Sequence, residues 1–406
     1  MANMTSTTQT KKSLTEKLAI LDKATETINK KCGKVVCGRI GKIPEIAEKL
    51  KIKWLPSPSY TFNELTGGGI PIGKFTIIAG DQDSGKTGSM LELIAFNQKK
   101  DPEFIACWLE SENSITKEYA VDMFGIDPER FFYIEHEKEG AAEKAIDILN
   151  AVVASGCCNI CVINSLKCLV PKTEMDQGMD KDTVALQARM NSKVVKKFTA
   201  LIQECDTAFV AITHLTSNIG SYFEPLVMSG GRAIRYASML TLYYQKCAVL
   251  DTDPITAQEG MKLRVKVKKN HCRCDRYPYL TGDYFIRYGQ GVAWELELLK
   301  ACLDKGVIEQ KGAWLTENSE SEFYAESEKR GFVHQWQGKN NFRKYLFETP
   351  AYRQYLEEII DMGSTVTSLS KEEVADIVAE ENLDAQAYHK EIEPEKTKKS
   401  AKKTKA

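Results

Sequence analysis

The residues Gly80-Asp81-Gln82-Asp83-Ser84-Gly85-Lys86-Thr87 carry the spacing G-x-x-x-x-G-K-[ST] of a phosphate-binding loop. In such a loop, backbone N–H groups and the positive end of the next helix cradle phosphate oxygens. Lys86 reaches the outer phosphates, and the Thr87 hydroxyl ligates magnesium. Phe75-Thr76-Ile77-Ile78-Ala79 before the loop reads as a buried strand. Met90-Leu91-Glu92-Leu93-Ile94-Ala95-Phe96 after it carries a helical pattern. Strand, glycine loop and helix are the elements this motif needs. The expected chemistry is binding of ATP with Mg2+, and the ligand-contacting stretch runs on to Gly88.

Hydrolysis needs a positioned water near the γ-phosphate. The apolar run at 104–109 leads into Glu110-Ser111-Glu112. A carboxylate at the C-terminal end of a strand lies beside the phosphate loop in sheets of this kind. Glu112 is therefore the candidate for orienting and polarising the water; a surface carboxylate capping the next segment is the plainer alternative. The run at 159–163 ends in Asn164-Ser165. Asp is usual there, where it helps hold magnesium and its waters. Asn164 can bond a metal-bound water but brings no charge, so hydrolysis is expected to be slow and Asn164→Asp to speed it. Ala211-Ile212-Thr213-His214 ends another strand, where His214 is placed to sense the γ-phosphate or to serve structure alone.

Two long polar segments follow strands, at 170–185 and 215–231. The second contains Ile219, Gly220, Phe223, Gly230 and Gly231. Loops this long in a compact domain are usually functional or disordered. Isolated apolar residues on them suit stacking on bases or wedging between nucleotides.

At 406 residues the chain is long enough for one large domain plus smaller ones, and 43% hydrophobic content supports a real core. A net charge of −1 excludes global basicity, so any DNA contact comes from local patches. The 12 cysteines are scattered. Cys158-Asn159-Ile160-Cys161 has CxxC spacing, but it lies in a strand-like run and has no second pair, so core cysteine is favoured over a zinc or redox site. Cys272 and Cys274 also lack a partner pair. Free thiols predict a reducing, cytoplasmic setting. No secretory signal or long apolar span points to a membrane.

Residues 1–12 are polar and read as disordered. Residues 14–31 form an amphipathic helix anchored by Leu18, Ile20, Leu21 and Ile28, followed by a short strand, Val35-Val36-Cys37. This leader, within 1–53, is too small to fold alone. Strand and helix patterns alternate over 54–291, which predicts an α/β domain with a mainly parallel sheet. A smaller C-terminal α/β module follows at 292–363, with helix patterns at 294–305, 340–347 and 350–362. The tail, 364–406, splits by charge: 371–395 holds nine carboxylates and two lysines, and 396–406 holds six lysines and no carboxylate. A disordered solubilising end is the simplest reading. A DNA-tethering arm is the sharper one, under which deleting 396–406 weakens duplex capture at low salt.

The ordered series of motifs resembles the RecA-type recombinases, and among them the phage, UvsX-like branch, over residues 14–362. Leu65-Thr66-Gly67-Gly68-Gly69-Ile70-Pro71-Ile72-Gly73 resembles the segment before the family's phosphate loop. Glu110-Ser111-Glu112 stands where the family has Asp-Ala-Glu, whose final Glu is catalytic. Tyr119 falls at the adenine-stacking tyrosine, and Tyr288-Gly289-Gln290-Gly291 is similar to Tyr-Gly-Glu-Gly at the nucleotide edge. Pro171-Lys172-Thr173-Glu174 opens a stretch similar to the first DNA-binding loop, closed by Leu186-Gln187-Ala188-Arg189-Met190. Ile219-Gly220 through Gly230-Gly231 resembles the second, and Arg235-Tyr236-Ala237-Ser238 follows it. Lys311-Gly312-Ala313-Trp314 and Gln337-Gly338-Lys339 resemble the C-terminal domain that helps recruit duplex DNA.

The resemblance implies a RecA-like ATPase core whose leader docks on the next subunit of a helical filament. ATP binds between protomers, and the filament on single-stranded DNA carries out homologous pairing and strand exchange with double-stranded DNA. Glu112, Lys86 and His214 form the implied catalytic set. Lys269 and His271 match two bacterial lysines that reach the γ-phosphate across the interface. Lys172, Arg189, Arg232 and Arg235 would contact DNA, with Val184 and Ile219 wedged between base groups. Single-strand-binding and loader proteins are further partners it allows. His214 replaces the bacterial Gln sensor, as in UvsX-like proteins. Two competitors stay open: a helicase motor on the same core, and a regulatory ATP-binding paralogue kept alive by Asn164.

Overall fold

The computed structural model describes residues 12–136, 142–175, 184–217, 226–228, 231–250, 252–273 and 280–362. Ile219, Gly220, Phe223, Gly230, Cys274 and the charged tail lie outside the described residues, and only the backbone of Val184 is described. The chain divides into two compact units, Met1–Lys53 and Trp54–Ala406.

In the first unit, helix α1 spans Leu14–Cys32. Ser13 and Glu16 close a capping box, with Ser13 N donating to Glu16 Oε2 at 2.9 Å. Gly33, at φ 65°, ends the helix in the left-handed conformation that glycine adopts without strain. Leu14, Ile20, Leu21 and Ile28 are exposed, so the apolar side of α1 finds no core of its own. The strand expected at Val35–Cys37 does not form. Val36 N and Cys37 N donate to Asn29 Oδ1 at 2.9 and 3.2 Å, and Asn29 Nδ2 donates to Cys37 O at 2.9 Å. One side chain thus satisfies the backbone groups that a ladder would have used.

The second unit is built on one large sheet. Along its main path its strands are β1 (Phe75–Gly80), β2 (Ala106–Glu110), β3 (Phe131–Glu135), β4 (Ile160–Asn164), β5 (Ala208–Ser217), β6 (Leu240–Leu250), β7 (Gly260–Asn270), β8 (Thr281–Arg287) and β9 (Gly291–Val292), and a short strand, Leu226–Met228, pairs antiparallel with β5 off that path. They lie in the order β9-β8-β7-β6-β1-β5-β4-β2-β3. From β6 to β3 neighbours run parallel; from β6 to β9 they run antiparallel. The inner parallel strands β1, β2 and β4 are buried on both faces, which their apolar runs require. Ile78, Val162 and Ile212 pack with Leu91 and Ile94 of helix α2 (Lys86–Lys100) on one face. Ile77, Ile163 and Ala211 pack on the other with Leu149 of α3 (Ala142–Ala154) and Phe198 of α4 (Val184–Glu204). A short helix α5 (Arg232–Ala237) follows β5 in the chain.

The C-terminal part of this unit carries α6 (Trp294–Asp304), β10 (Ile308–Lys311), β11 (Trp314–Glu317), β12 (Gln335–Gln337), α7 (Lys339–Glu348) and α8 (Pro350–Met362). Leu298, Trp336, Phe342 and Tyr352 form its core. Four charged groups tie it to the large sheet. Arg343 Nη2 on α7 reaches Asp253 Oδ2 at 2.6 Å and Glu295 Oε1 on α6 at 3.0 Å. Arg287 at the end of β8 donates to Glu295 Oε2 at 3.0 Å. Among the described residues no helix is long and apolar enough to cross a membrane.

Candidate active site

Parallel strands end together, so their last residues gather at one edge of the sheet. Gly80 on β1 pairs with His214 on β5, and Glu110 on β2 pairs with Asn164 on β4. The chain leaves β1 at Gly80, turns through 81–85 and enters α2 at Lys86. Two glycines permit this path. A Cβ on Gly80 would stand 2.5 Å from the Tyr244 carbonyl, and Gly85 adopts φ 80° against the Leu263 side chain. Lys86 is buried and donates to Asp81 O and, at 3.3 Å, to Ser84 Oγ. Burial lowers its pKa, opposed by the carboxylates of Glu112, Asp81 and Asp83. Thr87 follows in the first turn of α2, half-buried.

Glu112 stands just beyond β2. Its Oε1 lies 2.7 Å from His214 Nε2. Burial pushes its pKa up, but hydrogen bonds from Ser165 and His214 and the charge of Lys86 win, leaving it below the usual carboxylate value. Such a group stays ionised and able to accept a proton. Lys86, Glu112 and His214 are thus brought together as one cluster. Asn164 is fully buried at the end of β4. Its Nδ2 donates to Glu110 Oε2 at 3.1 Å and to Ser114 Oγ at 2.9 Å, whereas Oδ1 has no partner among the described residues.

Tyr119 packs edge-on against Phe124 at 5.1 Å between centroids, and a Cβ on Gly88 would lie 3.6 Å from its hydroxyl. Burial and the Asp83 carboxylate raise its pKa. Tyr288 is exposed on the turn from β8 to β9, which rests on α2 through Gly291 and Glu92. Lys269 on β7 does not turn to the phosphate loop. It donates to the Arg235 and Tyr236 carbonyls at 3.0 and 3.1 Å, closing the end of α5. His271 is exposed, its backbone N–H held by Met239 O at 2.8 Å.

Lys172, Arg189 and Arg232 are exposed, and Arg235 is half-buried. Arg189 lies on α4, and Arg232 and Arg235 lie on α5. Gly231, at φ 85°, lets α5 start close to α4, where an added Cβ would meet Ala188 at 3.1 Å. Sequence reasoning missed the work of Glu110 and Ser111. Ser111 N donates to Asn164 O at 2.6 Å, and Ser111 Oγ to Ser165 O at 2.8 Å, fastening the exit of β2 to that of β4. It also missed Cys168, whose Sγ lies 3.8 Å from Glu112 Oε1. Only the position of Glu110 at a strand end could have drawn attention to it.

Residues 19–293 match the family model described as the RecA N-terminal domain. The chain is 30% identical to Protein RecA of Heliobacterium modesticaldum over 348 residues, covering 85% of this chain and 92% of the relative. It is 31% identical to Protein RecA of Thermus aquaticus over 344 residues, covering 84% and 92%. For Protein RecA of Aquifex pyrophilus the figures are 29% over 371 residues, 91% and 98%. With a phosphate loop, a paired Glu and His at the adjoining strand ends, and a match along most of its length, the chain belongs to the RecA family of ATP-dependent recombinases.

Proposed function

We propose that this chain assembles on single-stranded DNA as a helical filament when ATP is bound, and that the filament pairs the strand with homologous duplex DNA and exchanges strands. The observation that carries this reading is the 2.7 Å contact between Glu112 and His214 beside Lys86. It joins the carboxylate placed for hydrolysis to the strand that runs on toward the second expected DNA loop.

Lys86 and the loop N–H groups would hold the triphosphate, and Tyr119 and Tyr288 the adenine. Thr87 and Asn164 would hold magnesium, whose chemistry is to neutralise charge on the outer phosphates. The buried, unpartnered Oδ1 of Asn164 fits an acceptor for a water of that metal. Glu112 would take the proton of the attacking water, and His214 keeps the carboxylate aimed. Lys269 and His271 would meet the nucleotide of a neighbouring subunit. Lys172, Arg189, Arg232 and Arg235 would bind DNA phosphates, with Val184, Ile219 and Phe223 at the bases and Gly220, Gly230 and Gly231 shaping the loop. The domain scheme proposed is a linking element at 1–53, the ATPase core at 54–291, a duplex-recruiting module at 292–363 and a charged tail. His214 supports a phage, UvsX-like origin with action in the host cytoplasm, where single-strand-binding and loader proteins are fitting partners.

The test is ATP turnover by the full chain with and without single-stranded DNA, beside electron microscopy with a slowly hydrolysed ATP analogue. DNA-stimulated turnover and analogue-dependent filaments are expected. Turnover indifferent to DNA, with no filaments, would overturn the reading.

A further inference from the structure

Behind the phosphate loop the large sheet meets α2 at a pair of buried hydroxyls. Ser89 stands in the first turn of α2 and Tyr284 in the middle of β8, and their oxygens lie 2.8 Å apart. Ser89 also holds Gly85 O twice, from its backbone N–H at 2.9 Å and from Oγ at 2.7 Å. A serine hydroxyl has one proton. Gly85 O takes it, so Tyr284 is the donor to Ser89 Oγ. Burial, helped by Tyr244, raises the Tyr284 pKa well above its ordinary value, so the phenol keeps the proton it donates.

Gly85 is the last glycine of the phosphate loop and the residue before α2, held at φ 80°. Its carbonyl and the N–H of Lys86 belong to one planar peptide and point in opposite directions. Clamping the carbonyl along the helix therefore aims that N–H out of the N-terminal end, where donors have no partner within the helix and anions bind. We propose that Tyr284 is a positioning residue of the nucleotide site: through Ser89 it fixes the Gly85–Lys86 peptide in the orientation that receives a phosphate oxygen. The proposal rests on the reading of 80–87 as the ATP loop. Without the phenol, Ser89 Oγ loses the contact that selects its rotamer, and the Gly85 carbonyl is left to the Ser89 amide. Leu263 of β7 also backs the loop, since a Cβ on Gly85 would lie 2.6 Å from its Cδ1. That side chain is apolar, so it limits where the loop can go and sets no orientation. β8 runs on four residues to Tyr288, and from β9 Val292 N donates to Glu92 on α2. Ser89 and Glu92 are three residues apart on one side of α2. The phosphate loop and the turn expected at the adenine are thus fastened to the same helix face.

The test is a double-mutant cycle in the full-length chain: wild type, Tyr284→Phe, Ser89→Ala and both together. Affinity for a slowly hydrolysed ATP analogue is read by titration calorimetry, with DNA-stimulated kcat, KM for ATP and melting temperature alongside. Tyr284→Phe removes one oxygen and keeps the ring. It is expected to weaken analogue binding and raise KM roughly 3- to 10-fold, the range for one hydrogen bond, with kcat within about twofold of wild type. Ser89→Ala should weaken binding at least as much. Adding Tyr284→Phe to it should weaken binding no further, because the tyrosine acts through the serine. A hydroxyl that serves stability alone would lower the melting temperature of Tyr284→Phe and leave affinity and KM at wild-type values; that result overturns the proposal. Losses that multiply in the double variant overturn it too, as does a fall in kcat at unchanged KM. If Tyr284→Phe does not fold, Ser89→Ala decides: weakened binding at unchanged kcat supports the clamp, and wild-type affinity overturns it. A wild type that binds no analogue would sink the reading of 80–87 itself, and the proposal with it.

Discussion

Glu112 and His214 meet at 2.7 Å although 102 residues separate them in the chain. One stands just beyond β2 and the other on β5, and β4 lies between those strands. The contact therefore spans the catalytic edge of the sheet. Neutralising Glu112 should show in the chemical step. For Glu112→Gln we expect ATP turnover to fall roughly 10²- to 10⁴-fold, the range for removing a positioned general base. Nucleotide binding should change little, so DNA filaments should form and last longer. Turnover within about tenfold of wild type would contradict the role of Glu112.

Lys86 is the buried cation of the phosphate loop. Lys86→Ala removes the charge proposed to reach the outer phosphates and frees the Asp81 carbonyl. ATP-dependent assembly, followed by light scattering, should be lost. Normal assembly by this variant would remove the nucleotide switch from the account.

Glu92 couples α2 to the turn that carries Tyr288. It accepts from Val292 N, and burial pushes its pKa up to about 7, helped by Glu297 and opposed by the Val292 amide and Lys99. A carboxylate with a raised folded pKa holds more protons in the folded state. Stability is therefore lost as pH rises from the ordinary value of 4.5 to about 7. Glu92→Gln keeps an acceptor for Val292 N and removes that loss. Melting curves at about pH 5 and about pH 8 should show the variant gaining on wild type at the higher pH. Parallel pH profiles for the two proteins would refute this.

Arg343 joins the C-terminal module to the sheet through Asp253 and Glu295. Burial pushes the Asp253 carboxyl up, but the Ile255 and Thr256 amides and the Arg343 guanidinium hold it well below the usual range. Arg343→Met strips one cation from this group and leaves the fully buried Glu295 to Arg287 alone. Breaking a buried pair costs about 3–5 kcal/mol, and denaturant unfolding should register a loss of that order. A change under about 1 kcal/mol would mean the network is solvated.

Much of this architecture was legible because its signals are local. The phosphate loop shows in eight consecutive residues, and the strands around it show as apolar runs. The strand ends shifted because Glu110 and Asn164 complete the ladder although their side chains are polar. Val35–Cys37 misled for the opposite reason, since an apolar triplet makes no strand when Asn29 takes its backbone groups. What stayed hidden depends on contacts distant in sequence. Arg343 and Asp253 are 90 residues apart, and Glu110 and Asn164 are 54 apart. No pattern in one chain announces that Asn164 faces a carboxylate.

The central claim is tested most directly by strand exchange between a labelled single strand and a homologous duplex, run with a slowly hydrolysed ATP analogue. The analogue removes any dependence on the rate of hydrolysis. Exchange that requires both homology and the analogue is the predicted result. Tight binding of the single strand with no homology-dependent exchange would contradict the account.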